Sequence, residues 1–189
     1  MTAVRIDLRG PLDEALAHRI VRAIRAAAVR SVDLRIDSEG GSLAAAIAIC
    51  LEIEEHSHPI FTTVHAKANS AASLIAASGD LRRIDRRGLI LVHCPSPPSP
   101  DAAAEVRAAL VEYSRQLPRD VAEWMAREKT FTAGEALQAG LVDRIIDAAA
   151  PEPVRLWTPA KRRPTQWLRP WRVLFEEFDL RLDALTVRA

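Results

Sequence analysis

Strand-like and helix-like segments alternate along most of the 189 residues, which predicts an α/β fold with a mostly parallel sheet. Two further observations favour it. Gly88 to Val92 (Gly-Leu-Ile-Leu-Val) is a continuous apolar run of the kind that parallel sheets bury. Hydrophobic residues make up 49% of a chain long enough for one sizeable core and short for two, which places it among globular rather than disordered chains.

Val4 to Leu8 alternates with period two and reads as a strand, ended by Gly10-Pro11. Asp13 to Ala28 places Leu16, Ile20, Val21 and Ile24 on one helical face. Val32 to Ile36 alternates again and runs into Asp37-Ser38-Glu39-Gly40-Gly41-Ser42. Leu43 to about Glu55 is apolar nearly all round, as a buried helix is. Ile60 to Val64 is the next strand, and Ser70 to Ala77 a buried helix of small residues. After the strand at Gly88 to Val92, Pro95 to Pro100 is a stiff, extended connector. Asp101 to Lys129 is polar and helical, with a break expected at Pro118. Ala133 to Ala139 is a short helix with Gly140 as its C-cap, and Leu141 to Ile146 is the last strand. Residues 1–147 form the expected core. Residues 148–189 form an appendage with five prolines and three tryptophans, and Val173 to Leu185 in it reads as a short amphipathic helix.

Composition narrows the function classes. The 26 basic and 25 acidic residues leave a net charge of +1, which argues against a nucleic-acid binder that uses its whole surface. Cys50 and Cys94 sit in apolar segments and read as reduced, buried thiols; no zinc-ligand spacing is present, and no metal or cofactor is expected. Met1 to Gly10 lacks the apolar core of a signal peptide, and the longest uncharged run, Ala68 to Gly79, is too short to span a bilayer. A soluble, cytoplasmic protein is expected.

Four features could carry chemistry. Gly40-Gly41 lies between a strand and a buried helix, a turn that exposes backbone N–H groups to an oxyanion or phosphate; no Gly-Lys-Ser/Thr follows, so it is not a Walker loop. As a lone pair it is more often a tight turn. Ser70 stands at the start of a buried helix, where it is either an N-cap or a hydroxyl in the positive end of the helix dipole, with the Ala71 N–H beside it. His93 ends an apolar strand, where α/β sheets gather ligands and a general base would be well placed; His65 is the weaker second candidate. Glu128, taken alone, is an ordinary surface glutamate.

Their order is more specific than any one of them. Asp-Ser-x-Gly-Gly-Ser, Ala-x-Ser-Ala-Ala-Ser-x-Ile-Ala-x-x-Gly-Asp, Leu-Ile-Leu-Val-His-x-Pro and Thr-Ala-x-Glu-Ala-x-x-x-Gly-Leu-Val-Asp follow one another from Val4 to Ile146. Together they resemble the Clp protease proteolytic subunit family, in particular its shorter relatives such as phage head-maturation proteases of the Clp type. The resemblance implies a Clp/crotonase-type spiral of repeated β-β-α turns and a serine endopeptidase acting on peptides or proteins. Ser70 matches the nucleophile, because it and not Ser73 lies nine positions before Gly79. His93 matches the base. Gly40 or its neighbour Gly41, with Ala71, would supply the oxyanion-hole N–H groups. The third member is usually an aspartate eight positions before the alanine of the Glu-Ala pair, and here that position holds Glu128. Asp120, Glu123 and Asp143 are the alternatives.

Three departures follow from the same likeness. The chain starts almost at its first core strand, without the segment that gates the axial pore of Clp subunits. The stretch from His93 to Glu128, which forms the ring-stacking handle in them, is shorter. Glu39 stands where a proline is usual. The first two argue against docking of an ATP-dependent unfoldase and against a stacked double ring, while a homo-oligomer is still expected. Rival readings are a catalytically degenerate scaffold subunit, an acyl-coenzyme A enzyme of the crotonase type, and a Ser–Lys dyad through Lys67. In the tail, Arg155, Lys161, Arg162, Arg163, Arg169 and Arg172 interleave with Trp157, Trp167 and Trp171. A strap packed on a subunit is favoured there over a nucleic-acid or membrane contact.

Overall fold

The computed structural model describes residues 3–96, 99–147 and 168. The element order is β1 (Val4–Arg9), α1 (Glu14–Ala27), β2 (Val32–Ser38), α2 (Leu43–Glu55), β3 (Ile60–Asn69), α3 (Ala71–Ser78), β4 (Leu81–Asp85), β5 (Leu89–Val92), α4 (Pro100–Ser114), α5 (Pro118–Ala126), β6 (Lys129–Thr132), α6 (Ala133–Gln138) and β7 (Arg144–Ile146). Strands β1-β2-β3-β4-β7 pair in parallel, β5 adds to β3 in parallel, and only β6 runs antiparallel, on β5. The fold is α/β with a mostly parallel sheet, as expected.

Alternation explains the layers. In β2 the side chains of Val32, Leu34, Ile36 and Ser38 are buried, and Asp33, Arg35 and Asp37 between them are half-buried. The buried face packs under α1, α2 and α3, whose apolar residues complete one continuous core. The other face carries charges paired across strands, with Asp33 accepting from Arg83 (2.6 Å) and Thr63 (2.9 Å). Asp13 caps α1 by accepting from the Leu16 N–H at 2.7 Å.

Several expectations needed correction. β3 extends five residues past Val64 because it serves two partners in succession: Phe61–Val64 pair with β4 and Lys67–Asn69 with β5. β4 and β6 were not expected. The run Gly88 to Val92 is not buried throughout; Leu89 is 41% exposed, because β5 packs one face only, between β3 and β6. The polar region after Asp101 divides into α4 and α5, with the break at residues 115–117, just before Pro118. The last strand is only Arg144–Ile146. Cys50 is buried as expected, but Cys94 is exposed, since β5 has ended before it. The tail expectations, including the helix at Val173 to Leu185, lie outside the described residues; Leu168, described alone there, is buried in the core. No helix among the described residues is long and apolar enough to cross a membrane.

One part-buried ion pair sits beside the sheet edge. Arg82, on β4, makes bidentate contact with Asp143 (2.6 and 3.0 Å) and donates to the carbonyls of Tyr113 and Gly140. It therefore ties β4 to the end of α4 and to the turn after α6. Gly140 itself has φ 68, the left-handed C-terminal position expected of it.

Candidate active site

The Gly-Gly turn is pinned from both sides. Ser38 Oγ donates to Gly10 O at 2.6 Å and accepts from the Gly40 N–H at 3.1 Å. The Leu12 N–H donates to Gly40 O, and the Ser42 N–H to Leu12 O, both at 2.8 Å. The Gly40 N–H is thus occupied, while that of Gly41 makes no hydrogen bond among the described residues. A side chain on Gly40 could not fit. Its Cβ would press on Asn69 O and stand 2.7 Å from Ser70 Cβ and 3.1 Å from Ala71 N. The turn and the start of α3 are in direct backbone contact.

Ser70 links β3 to α3, and its N–H donates to Leu91 O of β5 at 2.9 Å. Its backbone is at φ 53, ψ −128. Three other non-glycine residues described have positive φ: Ala28, Arg115 and Glu128. Each follows a helix: Arg115 ends α4 in the left-handed region (φ 58, ψ 25), Glu128 comes after α5, and Ala28 ends α1 at φ 50, ψ −114, close to the angles of Ser70. Ser70 alone opens one. Its side chain does not cap α3, so the hydroxyl is not engaged by the helix. Ser73 is engaged: its Oγ donates to Ser70 O at 2.6 Å. Ala71 and the rest of α3 are buried.

His93 follows β5 by one residue, and Glu128 precedes β6 by one. The antiparallel register pairs Val92 with Lys129, so its continuation sets His93 opposite Glu128. In the parallel register Asn69 faces Leu91, which brings Ser70 to the same ends of β3 and β5. The topology therefore gathers Ser70, His93 and Glu128 at one edge of three adjacent strands. Among the described residues no hydrogen bond joins Ser70 Oγ to His93, or His93 to Glu128. His93 is half-buried, Glu128 exposed. Glu128 donates its own N–H to Met125 O at 3.3 Å, which closes the turn after α5.

The alternatives are engaged elsewhere. Asp143 holds Arg82, Asp120 pairs with Arg119, and Glu123 pairs with Arg127. His65 faces Arg35 at 3.1 Å on the charged sheet face. Lys67 pairs with Glu39, which raises the lysine's pKa and, with a 2.9 Å bond from Asn69, lowers that of the carboxylate. Lys129 is bound to Glu135, whose carboxyl it holds down at about 2 together with the Thr132 capping bonds. The sequence reading missed Asn69 and the pairing of Glu39. Their signal was there: Lys67 and Asn69 lie two apart on one strand face, opposite an acid beside the Gly-Gly turn.

A cavity of about 250 Å³ opens one residue past His93, lined by Cys94, Pro100, Ala103, Ala104, Arg107 and Met125 among others. Among the described residues no group of three His, Cys, Asp or Glu side chains could hold a metal ion.

Comparison with known proteins gives a consistent picture. A family model described as Clp protease matches residues 1–108, a span that holds Gly40, Gly41, Ser70, Ala71 and His93. The ATP-dependent Clp protease proteolytic subunit 1 of Nocardia farcinica is 25% identical over 167 residues, covering 77% of this chain and 85% of that protein. The subunit 1 of Corynebacterium glutamicum is 30% identical over 135 residues, covering 62% and 65%. The subunit 3 of Rhodococcus jostii is 28% identical over 165 residues, covering 77% and 82%.

Proposed function

The chain belongs to the Clp protease family, and from that premise we propose that it is a serine endopeptidase built on Ser70, His93 and Glu128. A peptidase-type function follows from the family. The observation that carries the serine mechanism is Ser70 itself: a non-glycine residue at positive φ, opening a buried helix, with a hydroxyl that caps nothing. Such strain costs about 1–3 kcal/mol and persists where the surroundings impose it, as at the strained strand-to-helix turns that expose a nucleophile.

In the proposed reaction His93 takes the Ser70 proton as Oγ attacks the scissile carbonyl. The C–O bond forms and the carbonyl electrons move to its oxygen. Two N–H groups suit that oxyanion. Ala71 opens α3, so its N–H has no partner within the helix and lies at the positive end of the dipole. Gly41 is the better second donor, because the Gly40 N–H is already given to Ser38. His93 then hands its proton to the leaving amine as the C–N bond breaks, and a water repeats the cycle on the acyl-enzyme. Glu128 would orient the imidazole. The open Ser70–His93 and His93–Glu128 gaps must close in the substrate complex, as catalytic hydrogen bonds often do. The cavity past His93, walled largely by alanine, methionine and proline, suits an apolar substrate side chain.

Those same gaps favour one second reading, a subunit that assembles without catalysis. A fluorophosphonate probe separates the two, since only an activated serine labels. The wild-type chain is expected to label, Ser73→Ala to label, and Ser70→Ala not at all. Full labelling of Ser70→Ala removes the assignment, and an unlabelled wild type favours the scaffold. The relatives are named as subunits, and self-association of this chain is part of the proposal; light scattering measures it.

A further inference from the structure

Glu39 sits between the last residue of β2 and the Gly-Gly turn, on the sheet face opposite the helices. Its carboxylate reaches across to β3. One oxygen accepts from Lys67 Nζ and the other from Asn69 Nδ2 at 2.9 Å. Asn69 is the residue before Ser70, and its carbonyl is what a side chain on Gly40 would strike. The same short segment is therefore gripped twice, by backbone contact at Gly40 and by the side chain of Glu39.

The grip stands where the strand ladder shifts register. β2 and β3 pair residue for residue from Val32↔Ile60 to Ile36↔Val64, and then the register breaks. The next pair is Ser38↔Ala68, two residues further along β2 but four along β3. Past this bulge a single pair, Ser38↔Ala68, joins β2 to β3, while the end of β3 is laddered on its other side to β5. A bulge re-aims the side chains of its strand, and here it brings Lys67 and Asn69 to Glu39, which adds a side-chain link to that one remaining pair.

We propose that Glu39 is a positioning residue: with Lys67 and Asn69 it clamps the Gly-Gly turn to the end of β3 and so sets the spacing between the Gly41 N–H and Ser70. It acts through the turn and touches no reacting atom. In catalytic terms this inference rests on the peptidase reading, since the spacing matters for an oxyanion held between Gly41 and Ala71. The clamp itself is a statement about the fold and can be tested without it. Its ion pair is exposed, with the two side chains 40% and 60% accessible, so its loss should leave the fold intact.

The test has two arms. In the first, Glu39→Ala and the charge swap Glu39→Lys/Lys67→Glu are compared with wild type by the rate of fluorophosphonate labelling. Glu39→Ala should lower the maximal inactivation rate about tenfold or more, by misplacing a donor, and leave the probe's binding constant unchanged. The swap should restore most of that rate, because the exchanged ammonium and carboxylate would still pair across the strands, and Asn69 can turn its amide oxygen to the ammonium. In the second arm, amide hydrogen exchange follows Gly40, Ser42 and Ser70, each of which donates a hydrogen bond. Glu39→Ala should speed their exchange while the Ile6 and Leu8 amides in the β1–β2 ladder stay protected. Unchanged exchange at the turn, or a swap that folds but restores nothing, overturns the clamp. If the wild-type chain does not label, the peptidase reading falls and the exchange arm alone decides the clamp.

Discussion

The nucleophile side and the base side of the proposed site are held by different means. On the nucleophile side the backbone does the holding. Gly40 presses on Ser70 and Ala71, Ser38 takes the Gly40 N–H, Ser73 takes the Ser70 carbonyl, and all of α3 is buried. On the base side, β5 and β6 bring His93 and Glu128 to facing positions but leave their side chains without a mutual hydrogen bond, at an exposed strand end. Backbone packing preorganises oxyanion donors, with no reorganisation needed during reaction. On the proposed reading, the side chains at the strand end are brought together in the substrate complex.

The strongest way to break that contrast is to disturb the packed side. Gly40→Ala puts a methyl group 2.7 Å from Ser70 Cβ at φ 84. Gly10→Ala faces the same backbone strain at φ 85 with nothing within 4 Å. Gly40→Ala should abolish labelling and destabilise by about 1–3 kcal/mol from overpacking on top of the strain. Gly10→Ala should lose roughly 1 kcal/mol, the ordinary cost of left-handed backbone, and keep its labelling. Thermal melts beside the probe assay check both, and equal behaviour of the pair would mean that contact with Ser70 is not what Gly40 provides.

The base side should respond in activity but not in stability. His93→Ala should lower peptide hydrolysis by about 10²–10⁴-fold, the usual worth of a general base, with an unchanged melting temperature. Glu128→Ala should cost less, because an orienting carboxylate assists while the base moves the proton. If Glu128→Ala leaves turnover untouched, Glu128 is not the third member, and Asp120 and Glu123, held only in exposed ion pairs, are replaced next, then Asp143.

The smallest effect concerns the two thiols, one on each side of the contrast. Cys50 lies in the packed half, and burial pushes its thiol from the ordinary 9.0 up to about 12. The unfolded chain ionises first, so stability should decline as pH rises from 9.0 towards about 12, and Cys50→Ala should flatten that slope. Cys94, exposed beside His93, should react with iodoacetamide in the native state, and Cys50 only after unfolding. Mass spectrometry of the alkylated chain checks the difference.

Much was legible from residues alone, for local reasons. Helix α2 begins and ends where its apolar run does, because Ser42 caps it and Pro59 soon follows. Ser70, His93 and the Gly-Gly turn stood out because each lies at a strand or helix end, where period and composition change. What stayed hidden depended on partners far along the chain. The Leu-Arg-Arg-Ile-Asp segment reads as polar, yet it forms β4, since the charge of Arg82 is met by Asp143, 61 residues away. The four residues of β6 are a strand only because β5 offers an edge. The last five residues of β3 are extended because a second partner takes over from the first. Chain order thus determined the fold class and the candidate residues. Tertiary pairing alone decided which hydroxyl is left uncapped, which glycine N–H is left unused and which acid holds the turn, because hydrogen bonds between distant segments leave no period in the sequence.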